Sequence, residues 1–136
     1  MIFLDTNILV YAYDLDEKLK HQIAKDILAD CWNNRSGALS TQVLQEFYVT
    51  LTRKLPKKLP VHESREIIRE LMSWSIYQIT PVDIVKASEL EEKYGYTFWD
   101  SLIIAAAQNT NAEILYSEDM QDGQQLDNLR IINPFK

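Results

Sequence analysis

The stretch Ile2-Phe3-Leu4-Asp5-Thr6-Asn7 carries the pattern on which the fold prediction depends. Three apolar residues are too few for a buried helix and are typical of a short strand inside a sheet. Three residues that commonly cap helices follow at once, and they predict a helix beginning near Asn7. A short buried strand that leads directly into a helix indicates the start of a βαβ unit.

The same alternation of short apolar segments and longer amphipathic ones continues along the chain. Strands separated by helices predict a mostly parallel sheet with helices on both faces, which is an α/β fold. Sheets of this kind place their binding sites at the carboxyl ends of the strands. Further strands are predicted at 37–40, 75–80, 113–116 and 129–132, with helices at 7–13, 17–33, 42–53, 61–74, 82–94 and 99–109.

Composition limits the classes of protein that need to be considered. With 136 residues, 46% of them hydrophobic, the chain is expected to form a single domain over 1–136. Its one cysteine, Cys31, cannot form an internal disulfide, and two histidines add little to a Cys/His zinc site. We expect no signal peptide and no membrane span, because Asp5 interrupts the first apolar run and no run approaches roughly 20 residues. A cytoplasmic location is the expectation.

The formal net charge of −6 argues against a nucleic-acid binder, since phosphate contacts usually come from Lys and Arg. Two observations weaken that argument. A metal bound by acidic side chains neutralises part of their charge. The basic residues are also uneven along the chain, and their concentration fits either a solvated surface or a phosphate-contacting patch. Between positions 50 and 70 lie Arg53, Lys54, Lys57, Lys58, Arg65 and Arg69, against Glu63, Glu66 and Glu70.

Two acidic positions follow predicted strands at their carboxyl ends. Asp5 comes directly after the first strand, where an N-cap is the simpler explanation. Asp119 follows the strand at 113–116 within Glu118-Asp119-Met120-Gln121-Asp122, where a polar turn is the simpler explanation. Asp122 competes with Asp119, and Glu118 is a third candidate for the same role.

Two further acids lie on predicted helices. Asp100 opens a helix that is apolar on all sides and therefore buried, and Thr97 three residues before it also allows a capping box. Phe98 and Trp99 predict that this helix start is packed rather than solvated. Glu46 lies at the margin of an apolar helix face, where a solvated glutamate is the commoner case.

Placement at one sheet edge favours a shared role for these four acids. Clustered carboxylates repel one another, and burial increases the cost. Hard oxygen ligands become tolerable when they hold a hard cation such as Mg²⁺ or Mn²⁺. Such ions bind substrate phosphate and support hydrolysis of phosphodiesters.

Four motifs in this order resemble the PIN domain, and more narrowly its VapC-type toxin ribonucleases. They span nearly the whole chain: Leu4-Asp5-Thr6-Asn7, Leu44-Gln45-Glu46-Phe47-Tyr48, Phe98-Trp99-Asp100-Ser101-Leu102-Ile103 and Tyr116-Ser117-Glu118-Asp119-Met120. The resemblance implies a Rossmann-like three-layer fold with a central, mostly parallel sheet. It also implies a Mg²⁺- or Mn²⁺-dependent endoribonuclease that forms a homodimer and is silenced by a cognate antitoxin.

The same resemblance assigns roles to particular residues. It implies that Asp5, Glu46, Asp100 and Asp119 are the catalytic acids. Metal ligands are expected among Asp5, Asp100 and Asp119, with Asp122 as a substitute or additional ligand. The resemblance further implies that Thr6, Asn7 and Ser117 orient these acids or a water molecule.

Two other functions compete with a nuclease. An aspartyl phosphotransferase would use Asp5 as nucleophile, but it expects a second Asp two residues later, where this chain has Asn7. A non-catalytic binding module of the same fold is the other rival, although all four acids are present. Neither the RNA that is cut nor the number of metals follows from the sequence.

Overall fold

The computed structural model describes residues 1–136 and confirms the predicted α/β fold, with a mostly parallel sheet flanked by helices. The six strands are β1 Ile2–Leu4, β2 Gly37–Ser40, β3 Ser75–Tyr77, β4 Ile114–Tyr116, β5 Gln125–Leu126 and β6 Leu129–Ile132. The helices are α1 Thr6–Tyr11, α2 Lys18–Asn34, α3 Thr41–Val49, α4 Val61–Leu71, α5 Pro81–Tyr94 and α6 Phe98–Asn109, with a π-helical turn at Thr50–Lys54.

The strands lie in the order β3-β2-β1-β4-β6-β5, and every neighbouring pair is parallel except β5 with β6. β1 is therefore central, with β2 on one side and β4 on the other. Its pairing aligns Leu4 with Tyr116, so β1 and β4 end side by side. The residues that follow these two strands are thereby brought together.

The core lies where the sequence predicted it. Phe3 and Leu4 of β1 and all four residues of β2 are buried, as expected for strands covered on both faces. α6 is buried continuously from Ser101 to Ala107, which confirms the prediction from its apolar composition. The sequence around Asp100 therefore belongs to the best packed helix of the molecule.

Several features differ from the expectations. The helix predicted at 42–53 becomes a π-helical turn after Val49, the helix predicted at 61–74 ends at Leu71, and the strand predicted at 75–80 stops at Tyr77. β5 was not predicted, because two residues carry no periodicity and depend on pairing with β6. Trp99 is 62% exposed, so the prediction of a packed helix start was wrong for this residue, whereas Phe98 is partly buried. None of the helices combines the length and apolar character that crossing a bilayer demands.

Candidate functional site

The strand order changes direction between β1 and β4, and a cleft lies at this point. The chain moves from β1 to β2 and β3 on one side and then returns to β4 on the other side. In open α/β sheets, the crevice at such a switch point is the usual ligand site. The cleft here has a volume of about 390 Å³, and four of its ten lining residues are the acids singled out in the sequence: Asp5, Glu46, Asp100 and Asp119.

Asp5 is the most buried acid of the cleft, with 6% of its surface exposed. One carboxylate oxygen accepts a hydrogen bond from the backbone N–H of Thr6 at 2.7 Å, and the other accepts from Ser117 Oγ at 2.8 Å. Burial, with a smaller contribution from the charges of Asp100 and Asp119, raises the pKa of Asp5 to about 7 against the lowering effect of these two hydrogen bonds. Asp5 therefore caps α1, as the simpler explanation required, and also lies in a strongly negative environment.

Glu46 reaches the cleft from α3. The side chain is exposed, and its Oε1 accepts a hydrogen bond of 2.7 Å from Thr6 Oγ1. Thr6 therefore contacts two acids, Asp5 through its backbone and Glu46 through its hydroxyl. The turn after β1 is in this way bound to the side of α3 that faces the cleft.

Asp100 lies in the first turn of α6 and is half-buried. Its backbone N–H donates to Thr97 Oγ1 at 3.1 Å, so Thr97 is the N-cap of the helix. Burial raises the pKa of the Asp100 carboxyl, and the charges of Asp119 and Glu46 add to the increase. Gln42 of α3 donates to the carbonyl of Trp99 at 3.2 Å and thereby holds this helix start against α3.

The segment after β4 offered three acids for the fourth position, and Asp119 is the one that lines the cleft. Its Oδ2 accepts from Asn7 Nδ2 at 2.7 Å. Glu118 instead accepts from Tyr11 Oη at 2.8 Å and pairs with Lys20 Nζ at 2.6 Å. Asp122 lies outside the cleft and accepts from the backbone N–H of Asn133 at 2.8 Å, and its role as a substitute or additional metal ligand stays a prediction.

The donor set of the cleft suits a hard divalent cation. Four carboxylates supply the oxygen ligands that Mg²⁺ and Mn²⁺ prefer. Burial, with a smaller contribution from the neighbouring carboxylates, raises the pKa of both Asp5 and Asp100. No three acidic, histidine or cysteine side chains are close enough to share one ion as they are arranged here. Three of the acids are oriented by neutral donors, namely Thr6, Asn7 and Ser117. The set therefore fits a metal by its chemistry, and side-chain rotations would be needed to gather the ligands.

Lys54 also lines the cleft, although the sequence marked it only as one member of a basic run. It ends the π-helical turn, in which the N–H of Leu55 donates to the carbonyl of Thr50 at 3.1 Å. Turns of this type widen a helix locally and are frequent at functional sites. Nothing in the sequence pattern distinguished Lys54 from its basic neighbours.

Comparison with known proteins agrees with this architecture. The family model of the PIN domain matches residues 2–122. Among solved structures, the toxin VapC20 of Mycobacterium tuberculosis, described as cleaving the sarcin-ricin loop, is 20% identical with a TM-score of 0.69, over 88% of this chain and 90% of that chain. No curated protein sequence matches the chain significantly.

Two further solved structures belong to toxin–antitoxin systems. A toxin–antitoxin complex from Klebsiella pneumoniae is 22% identical with a TM-score of 0.71, and the match covers 98% of both chains. VapBC2 from Rickettsia felis, bound to a promoter DNA fragment, is 23% identical with a TM-score of 0.64, over 96% of this chain and 97% of that chain. At these identities the likeness concerns the fold, and the fold implied by the resemblance is confirmed.

Proposed function

This chain belongs to the PIN domain family, and from that membership and the acidic cleft we propose that it is a divalent-metal-dependent endoribonuclease, the toxin of a toxin–antitoxin pair. One observation carries the proposal. Asp5, Glu46, Asp100 and Asp119 come from four separate parts of the chain and line one cleft at the switch point of the sheet. Four clustered acids destabilise a fold unless a cation compensates their negative charge. The metal ion of a phosphodiesterase site would supply that compensation.

The roles of the four acids follow from their surroundings. Asp5 and Asp100 would hold the cation, because both line the cleft, are buried or half-buried and have no positively charged partner. A bound Mg²⁺ or Mn²⁺ would supply Lewis-acid polarisation of the phosphate and a lower pKa for the attacking water. Asp119 would complete the ligands, with Asn7 fixing one of its oxygens. Ser117 and Thr6 orient Asp5 by holding both of its oxygens.

Glu46 is the acid placed to accept the proton of the attacking water. It is exposed to the cleft, and Thr6 fixes its Oε1 while the other oxygen has no hydrogen-bond donor from the protein. A general base must be oriented and must keep a free lone pair toward the water. In this arrangement Thr6 hydrogen-bonds both Glu46 and Asp5, which holds the two carboxylates in a fixed position relative to each other.

The aspartyl phosphotransferase alternative fits the geometry poorly. A nucleophilic Asp5 would have to present a carboxylate oxygen to phosphorus. Asp5 is 6% exposed, and both of its oxygens already accept hydrogen bonds. The acid is therefore better placed to bind a cation than to attack a substrate.

Cleavage of a mixed RNA pool with Mn²⁺ tests the proposal. We expect the wild type to cut RNA and the Asp5→Asn and Asp100→Asn variants to lose about 100-fold or more in rate, the range typical for a group that acts in proton transfer or metal activation. Asp122→Asn is the matched control, because Asp122 is an acid of the same segment outside the cleft. Equal rates for the wild type and Asp5→Asn would refute the nuclease hypothesis.

Metal binding can be measured separately by calorimetric titration with Mg²⁺. We expect Asp100→Asn to weaken the binding strongly and Asp122→Asn to leave it unchanged. Unchanged affinity in Asp100→Asn would remove Asp100 from the site while leaving the cleavage test valid. The nuclease hypothesis and the assignment of Asp100 are therefore tested by different measurements.

The proposal includes a protein antitoxin, a homodimer and action on RNA in the cytoplasm. Solved structures of the same fold include toxin–antitoxin complexes, which supports the first element. α5 exposes Val82, Ile84 and Val85 at 75%, 50% and 61%, and such apolar side chains are typical of a surface that a protein covers. Sedimentation of the purified chain tests the dimer, and growth arrest on expression of the wild type but not of Asp5→Asn tests the toxin.

A further inference from the structure

We propose that Trp99 and Lys54 anchor an unpaired RNA strand at the cleft, Trp99 by stacking on a nucleobase and Lys54 by contacting a phosphate. This inference rests on the proposed function, because it names the groups that hold the substrate of that same site. It adds two residues that are neither acids nor their hydrogen-bond partners.

Trp99 presents an unusually exposed indole beside a site acid. It is 62% exposed, whereas the other two tryptophans, Trp32 and Trp74, are 38% and 9% exposed and pack against each other with ring centroids 5.4 Å apart. Trp99 is not one of the ten residues that line the cleft, but it directly precedes Asp100, which is, so its indole would stack on a base next to the cleft rather than inside it. An exposed aromatic ring beside a nuclease site offers a face on which a nucleobase can stack.

The backbone of Trp99 is held in place, which limits the positions that its ring can take. Thr97 caps the first turn of α6, and Gln42 donates to the Trp99 carbonyl at 3.2 Å. The indole also packs edge-to-face on Phe98, with centroids 5.2 Å apart and planes at 78°. An aromatic ring fixed in this way loses little conformational entropy when a base stacks on it.

Lys54 provides the positive charge that the acidic cleft otherwise lacks. It is the one basic residue among the ten that line the cleft. The two ion pairs of the structure are Lys20 with Glu118 and Arg69 with Glu66, so the Lys54 ammonium has no carboxylate partner although four carboxylates line the same cleft. An unpaired ammonium at a phosphodiesterase site suits a substrate phosphate, which it binds as a point charge.

Together the two groups favour single-stranded RNA over a duplex. A base inside a duplex has both faces covered by its neighbours, so an exposed indole cannot stack on it without unwinding. Base-on-aromatic stacking combined with a cationic backbone contact is the common mode of single-strand recognition. The net charge of −6 adds a reason, because a chain with few cations gains from aromatic contacts that do not depend on charge.

Steady-state cleavage of a labelled single-stranded oligoribonucleotide tests Trp99. We expect Trp99→Ala to raise KM by about 5- to 150-fold, the range measured for loss of one base stack, with kcat nearly unchanged. Trp99→Phe should keep most of the affinity, because it keeps an aromatic face. Trp32→Ala is the matched control, since Trp32 is the next most exposed tryptophan and lines a different cavity together with Trp74.

The salt dependence of binding tests Lys54. For single strands, log affinity decreases with log salt concentration, and this negative slope becomes less steep by about 0.7 for each phosphate contact removed. We expect that change for Lys54→Ala and not for Lys57→Ala, which removes a neighbouring lysine that does not line the cleft. Equal slopes for the two variants would show a general charge effect and overturn the specific contact.

Two results would overturn the stacking role of Trp99. One is a KM for Trp99→Ala equal to that of Trp32→Ala, and the other is a sedimentation shift of Trp99→Ala toward a smaller species, which would assign the indole to an interface between copies. The nuclease proposal survives either result if the wild type still cleaves RNA. Conversely, binding of the oligoribonucleotide that depends on Trp99, without cleavage in the presence of metal, would support the anchoring and refute the nuclease.

Discussion

Two buried aspartates of this molecule, Asp83 and Asp5, are in opposite electrostatic situations. Asp83 is 3% exposed at the start of α5, and Asp5 is 6% exposed at the end of β1. Burial raises the pKa of both carboxyls. For Asp83 hydrogen bonds outweigh burial and the pKa lies below its usual value, whereas for Asp5 burial prevails and the pKa rises to about 7.

The difference lies in the groups that surround each carboxylate. Asp83 accepts hydrogen bonds from Tyr77 Oη, from the backbone N–H and hydroxyl of Thr80, and from Asn109 Nδ2, all between 2.7 and 2.9 Å. Asp5 has two donors and lies near other carboxylates. Asp83 thus belongs to a closed network that stabilises the fold, and Asp5 belongs to a site that a cation would complete.

The pH dependence of stability should show this contrast most strongly. Between pH 4 and 7, folded Asp5 retains a proton that unfolded Asp5, with a pKa near 3.8, has lost. The free energy of unfolding without metal should therefore fall as pH rises through this window and level off above it. The effect is on the order of 4 kcal/mol, from a shift of about three pKa units at 1.36 kcal/mol each.

Urea unfolding of the wild type and Asp5→Asn in EDTA, from pH 4.5 to pH 8, measures this effect. We expect the variant to be the more stable of the two at pH 8 and to show a flatter profile. The expectation fails if the two profiles run parallel. Asp100, whose pKa is also raised, adds a slope of the same sign in both proteins.

Replacing Asp83 should have the opposite effect on stability. Because its folded pKa is lowered, Asp83 stabilises the fold above its unfolded pKa, and this contribution is lost only as pH falls through the acid range. Asp83→Ala removes an acceptor shared by Tyr77, Thr80 and Asn109, and we expect a loss of about 2–4 kcal/mol at pH 7. Chemical denaturation measures it.

Cleavage by the Asp83→Ala variant provides the control for that experiment. The rate per folded molecule should match the wild type, since Asp83 does not line the cleft. A variant as stable as the wild type would show that the four hydrogen bonds contribute little. A folded variant that no longer cleaves would instead connect this network to the site and break the contrast with Asp5.

The sequence revealed one of these two aspartates and not the other. Asp5 was noticeable because it follows a three-residue apolar strand, and the sheet rule places such residues at one edge. Asp83 stands in a helix start after Thr80, where a capping role is ordinary, so nothing marked its burial. Its partner Asn109 is 26 residues away in the chain, and only the packing of α5 on α6 brings the two together.

The same limit explains what else the sequence could and could not predict. Strand and helix positions followed from periodicity, and so did the parallel sheet. Neither the exposure of Trp99 nor the arrival of Lys54 at the cleft has a local signature: one depends on which face of α6 is covered, the other on a π-helical turn. The choice between Asp119 and Asp122 depended on contacts with Asn7 and Asn133, far apart in the chain.

The two adjacent residues Glu118 and Asp119 show the same contrast between an acid compensated by its neighbours and an acid of the cleft. Replacing them tests this contrast with the smallest expected change in stability. Glu118 is compensated as Asp83 is, here by Lys20 and Tyr11, while Asp119 shares the cleft of Asp5. Glu118→Gln should cost about 1 kcal/mol or less, because Lys20 is 38% exposed and surface ion pairs contribute little. Cleavage by Glu118→Gln should stay within about twofold of the wild type, whereas Asp119→Asn should lose about 100-fold. If Glu118→Gln instead lost cleavage, the ion pair of Glu118 with Lys20 would have to open during the reaction. The number of donors around an acid would then not distinguish structural acids from functional ones.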